Sequence, residues 1–129
     1  MKVTEQQARE SWKTTIEAYE FFLTTYHGRR LAPLLSLVKA LSEDPLARPL
    51  IAHTSHCDLV IAWVPDVFPD HPHVVVRMLT DGSFNCELCD GVENQKVLRT
   101  ERSTESGVKE VVVELIKDLI RLTRSSHSE

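Results

Sequence analysis

His73-Val74-Val75-Val76-Arg77-Met78-Leu79-Thr80-Asp81-Gly82-Ser83-Phe84-Asn85-Cys86-Glu87-Leu88-Cys89 decides the fold. Thr80-Asp81-Gly82-Ser83 is a turn signal between two strand-forming runs, so the segment reads as a β-hairpin. A two-residue turn at Asp81-Gly82 pairs Arg77 with Cys86 and sets an arginine among Phe84, Cys86 and Leu88. A three-residue loop, with Gly82 in the left-handed position of a G1 bulge, pairs Met78 with Phe84, Val76 with Cys86 and Val74 with Leu88. Those six side chains then share one apolar face. The opposite face carries His73, Val75, Arg77, Leu79, Asn85, Glu87 and Cys89. Turn chemistry and apolar pattern agree only in this second register.

Outward from the hairpin, Cys57–Val64 is a nearly continuous apolar run that reads as a preceding strand, joined to it by the proline-rich loop Pro65–Pro72. Lys96–Arg102 reads as a fourth strand. The N-terminal segment is helical: Thr4 and Gln7 form a capping box, and Ala8, Trp12, Ile16, Tyr19, Phe22, Leu23 and Tyr26 recur at helical spacing. Gly28 is expected to stop this helix in the left-handed conformation. A second helix starts at Pro33, carries Leu34, Leu35, Val38 and Leu41 inward, and ends at Pro45. The last helix begins near Ser103 or Thr104, with Val108, Val111, Val112, Leu115, Leu119 and Leu122 on its inner face. The expected class is therefore α+β: two N-terminal helices, a four-stranded antiparallel β-meander, and a C-terminal helix packed on the sheet. Residues 1–129 form one domain, with 1–3 and 125–129 expected to fray.

Composition narrows the functional classes. Hydrophobic residues make up 42% of the 129, enough for one core without disulfides. The N-terminus has no apolar run behind it, which argues against a secretory leader. The apolar stretch Leu59–Val64 is too short to cross a bilayer. An odd number of cysteines, three, fits a reducing, cytoplasmic location. The net charge of −4 offers no basic field for nucleic acid.

Two clusters suggest chemistry: His53, His56 and Cys57, and Cys86-Glu87-Leu88-Cys89 followed by Asp90 and Gly91. Cys86, Cys89 and Gly91 match a zinc knuckle literally, but such knuckles come in pairs or with spaced histidines. Cys86 and Cys89 also point to opposite faces of a strand. In a meander His53, His56 and Cys57 are expected at the turn end of the sheet, roughly 17 Å from Cys89 at strand rise, whereas zinc ligands lie about 2.0–2.3 Å from one ion. A redox Cys-x-x-Cys needs its first thiol at a helix N-terminus, and Cys86 is mid-strand. A better zinc set is Asp70, His71, His73 and Cys89, with Asp66 nearby, because Cys89 stands opposite His73. Cys57 lies beside His56 and Asp58, but strand neighbours diverge and do not make a triad. The four glycines form no phosphate loop.

The surface pattern carries the remaining inference. In Leu59–Val64 both faces are apolar, and Val75 and Leu79 extend the outer one, whereas a sheet with one wet face alternates. Val60, Ala62, Val64, Val75 and Leu79 therefore form a candidate interface. It would be covered by helices of the same chain or by a second copy, and twofold association makes a homodimer the expectation. The last helix also has a wide apolar stripe, through Val113, Ile116 and Ile120. The expected function is non-catalytic protein binding, by a small acidic chaperone, adaptor or immunity-type protein needing no cofactor. Size and charge are similar to those of secretion chaperones, although that family interleaves a helix among its strands. The alternative is a metal-dependent or cysteine-based small enzyme using the Asp66–His73 loop or the His53–Cys57 segment.

Overall fold

The computed structural model describes residues 3–25, 28–63, 71–91 and 96–127. Helix α1, Glu5–Leu23, starts with the expected capping box: the Thr4 hydroxyl accepts from the Gln7 N–H, and the Gln7 side chain accepts from the Thr4 N–H. It ends earlier than Gly28. Thr24 caps it in right-handed geometry, and Gly28 opens a 3-10 turn, Gly28–Leu31. Helix α2, Ala32–Ser42, follows with Pro33 in its first turn.

Five strands then form a meander in chain order: β1 Ile51–Ser55, β2 Asp58–Ala62, β3 His73–Met78, β4 Phe84–Cys89 and β5 Val97–Ser103, all antiparallel. The four-strand expectation missed β1. The stretch Ile-Ala-His-Thr-Ser is half polar, and its turn to β2 has none of the usual turn residues, so only pairing with β2 defines it as a strand. The β3–β4 register is the expected one, with Met78 facing Phe84, Val76 facing Cys86, Val74 facing Leu88 and His73 facing Cys89. The Leu79 N–H donates to the Ser83 carbonyl at 2.8 Å, the Gly82 N–H donates to the Leu79 carbonyl at 3.0 Å, and Gly82 has φ +87°. This is the three-residue G1 loop. Helix α3, Val108–His127, starts later than Ser103, because β5 runs to Ser103 and a turn closes with the Gly107 N–H on the Thr104 carbonyl.

All three helices pack on one face of the sheet. The core joins Trp12, Tyr19, Leu34, Val38 and Leu41 to Leu59, Ile61, Val74, Val76, Phe84, Cys86 and Leu88, and to Val112, Leu115, Ile116 and Leu119 of α3. Helix α3 lies over β3, β4 and β5, while α1 sits against β1. The second face is not uniformly wet. A row of facing residues across four strands, Ile51, Ala62, His73 and Cys89, is buried, with Val60 beside it. Further along the strands His53, Val75 and Glu87 are half-buried, and Arg77, Thr100 and Arg102 are exposed.

Candidate functional site

The two edges of the sheet are treated differently. The β1–β2 turn makes Ser55 and Asp58 a hydrogen-bonded pair, so Leu50, Ala52 and Thr54 point their backbone groups away from β2. Helix α1 meets that edge. The Trp12 indole N–H donates to the Leu50 carbonyl at 3.1 Å, and the Ser11 hydroxyl accepts from the Ala52 N–H at 3.0 Å. Covering an edge with a helix is one way proteins prevent unwanted strand pairing.

At the other edge, among the described residues, no strand pairs with the outer side of β5. By the same alternation, counted from the Leu79–Ser83 pair, Arg99, Glu101 and Ser103 bond to β4, while Thr100 and Arg102 present their N–H and C=O groups outward. Val97, Leu98, Arg99, Thr100 and Arg102 are exposed, Val97 at 44% and Leu98 at 42%. A register shift between Leu88 and Cys89 places a bulge at Leu98. Arg99 is ion-paired to Glu101 at 2.9 Å and to Asp118 of α3 at 2.7 Å. Beside the strand, a groove of about 380 Å³ is lined by Leu88, Leu98, Arg99, Asp118, Arg121 and Leu122. No residue pattern within Val97–Ser103 marks this edge. The available signal was positional: the last strand of a meander is an edge unless something folds over it.

Val60 and Ala62 are buried within the single chain, at 1% and 0% exposure, and Val75 and Leu79 are half-buried. Val64 lies outside the described residues, as do Asp66, Asp70, Tyr26 and His27.

The second face holds His73. Its Nδ1 lies 2.8 Å from the His71 carbonyl, and since a carbonyl only accepts, Nδ1 carries the proton. Burial pushes the His73 pKa down, and His53 adds to the effect; the His71 hydrogen bond and Asp90 oppose it. His53 is thus near His73 and not at the turn end with His56 and Cys57, because β1 runs back along β2 from that turn. Cys89 faces His73, as expected, and burial, Glu87 and Asp90 push its thiol up. Cys86 is in the core, with its thiol pushed up to about 12 by burial and by Glu101. His71 is exposed. Gly91 approaches the His71 backbone so closely that a Cβ would lie 1.9 Å from its carbonyl oxygen. Among the described residues no three His, Cys, Asp or Glu side chains are grouped to hold a metal ion.

At the β1–β2 turn both central residues have positive φ, His56 at +52° and Cys57 at +73°. This is type I′ geometry, which favours Asn-Gly. The buried Tyr19 hydroxyl donates to the Cys57 carbonyl at 2.9 Å and holds the turn against α1. Burial, with Asp58 and Cys57 nearby, pushes the Tyr19 pKa far up, so the phenol stays a donor. A cavity of about 360 Å³ opens here, lined by Arg30, Leu31, His56, Cys57, Asp58, Arg77 and Met78. Arg77 is ion-paired to Asp58 at 3.1 Å. Among the described residues no hydrogen bond joins His56 to the Cys57 thiol, so His56 is not aligned on it as a base.

Among the described residues no helix is long and apolar enough to cross a membrane. Comparison with family models, with curated proteins and with solved structures finds no match.

Proposed function

We propose that this chain is a non-catalytic, protein-binding domain, a small acidic adaptor, chaperone or immunity-type protein, that takes up an extended polypeptide by strand addition at β5. One observation carries this: helix α1 closes the β1 edge, while β5 presents outward backbone groups and exposed Val97 and Leu98. In strand addition the main-chain bonds supply affinity, and alternate side chains supply selectivity. The groove beside Leu98 and Leu122 is placed to receive one such side chain. The domain works in a reducing, cytoplasmic compartment on this reading, which its three free thiols favour. It needs no cofactor. Dialysis against chelator is expected to leave the melting temperature unchanged, and a fall would count against this.

The test uses short synthetic peptides of alternating Thr and Val with terminal lysines, added to the full chain under hydrogen exchange. Slowed exchange at the Thr100 and Arg102 amides, lost at Arg102 in Thr100→Pro, supports strand addition. Unchanged exchange at both overturns it.

A second reading, a cysteine-based enzyme, is favoured by the left-handed His56-Cys57 pair beside its cavity, because such backbone conformations cluster at functional sites. Its test is iodoacetamide labelling of Cys57 at neutral pH. A rate well above that of free cysteine, lost in His56→Ala, supports it; a rate at or below free cysteine removes it.

A further inference from the structure

We propose that the occupant of the β5 edge is a second copy of this chain, paired antiparallel about a twofold axis through Thr100. The proposal rests on the strand-addition reading and names the strand that is added. A twofold axis perpendicular to a sheet keeps each face on its own side, so the axis must pass through a residue and not between two. Around Thr100, that residue pairs with its own copy, and Arg99 faces Glu101 of the second copy. Thr100 points its N–H and C=O outward, so the central pair exchanges two backbone hydrogen bonds.

Charge selects this register over its neighbours. An axis through Arg99 sets arginine on arginine, one through Glu101 sets glutamate on glutamate, and one through Arg102 again sets arginine on arginine. Like charges directly opposite are destabilising. Of these four adjacent axes, the one through Thr100 alone avoids this. Arg99 and Glu101 already touch along one strand at 2.9 Å, and the second copy adds the same pair reversed. The four groups then alternate in sign around a square on the helix-bearing face. On the other face Thr100 meets Thr100, a favourable cross-strand pair. The bulge at Leu98 and the charges deter indiscriminate pairing, and the charges admit this one partner.

Light scattering on the full chain, with crosslinking, tests the pairing. The wild type is expected at twice the chain mass, and Glu101→Arg at the chain mass with an unchanged far-UV spectrum. In a Cys57→Ser background, Thr100→Cys is expected to form a disulfide dimer on mild oxidation, because Cα atoms of a hydrogen-bonded pair lie about 5.5 Å apart, within disulfide range. Arg102→Cys is not, since its copies lie roughly 14 Å apart along the strands. Should Glu101→Arg fail to fold, the exposed Thr100→Cys variant decides. A wild type at the chain mass at its highest soluble concentration overturns the pairing, as does a dimer that crosslinks through Arg102→Cys and not Thr100→Cys. If the chain is monomeric yet strand peptides still slow exchange at Thr100, self-pairing falls and strand addition stands. If neither occurs, both fall.

Discussion

The Trp12 indole N–H donates to the Leu50 carbonyl across 3.1 Å, joining the second turn of the first helix to the start of the first strand. Together with the Ser11 hydroxyl on the Ala52 N–H, it turns a sheet edge into an interior surface. Trp12 is 3% exposed, so this bond forms away from water, where an unpaired carbonyl is costly.

Breaking that closure has two expected effects. Trp12→Phe keeps most of the packing but leaves the Leu50 carbonyl without its indole donor, which costs about 1–3 kcal/mol. Ser11→Ala removes the acceptor of the Ala52 N–H. The double variant is expected to unfold at lower urea concentration and to show added, concentration-dependent association through β1. Unchanged urea midpoints would contradict a structural role for these bonds.

Gly91→Ala tests the approach of two backbones. Gly91 has φ +71°, and a Cβ there would lie 1.9 Å from the His71 carbonyl oxygen. Left-handed strain of about 1–2 kcal/mol adds to an overpacking cost of about 1–3 kcal/mol. The change also displaces the carbonyl that holds the His73 ring. Calorimetry is expected to show a large fall in melting temperature. Gly82→Ala has positive φ but open space around its Cβ, so its loss should be smaller.

The β1–β2 turn should respond in the opposite direction. His56 and Cys57 occupy left-handed conformations that Asn and Gly adopt at lower cost. His56→Asn with Cys57→Gly is expected to raise stability by about 1 kcal/mol, less whatever the half-buried Cys57 side chain contributes to the core. A clear gain in denaturant midpoint would show that the native turn carries strain.

The pH dependence turns on His73. Its folded pKa is lowered, chiefly by burial, so the unfolded chain binds its proton first as pH falls. Stability is therefore complete above the unfolded value of about 6.5 and declines as pH drops through and below it. One proton limits the slope to about 1.4 kcal/mol per pH unit. Melting between pH 7.5 and 5 should show this decline in the wild type. In His73→Gln the whole curve should lie lower, and this component of its slope should disappear. Equal slopes in both would count against it.

Local chemistry made much of the architecture legible in the sequence. Thr4 and Gln7 place the first helix, because a capping box is satisfied within one turn of chain. Asp81 and Gly82 set the β3–β4 register, because the apolar face admits only one alignment. That register alone sent Cys86 inward and set Cys89 opposite His73. Strand β1 was not legible, because Ile51–Ser55 has a weak apolar pattern and His56-Cys57 is a poor turn signal. It exists because β2 offers a ladder and α1 closes the far side. The candidate site was hidden for the same reason. Which strand edge is covered depends on contacts such as Trp12 with Leu50, 38 residues apart. Periodicity assigns a side chain to a face, but edge closure and the burial of the Ile51–Ala62–His73–Cys89 row depend on segments distant in the chain. Only the tertiary structure decided those.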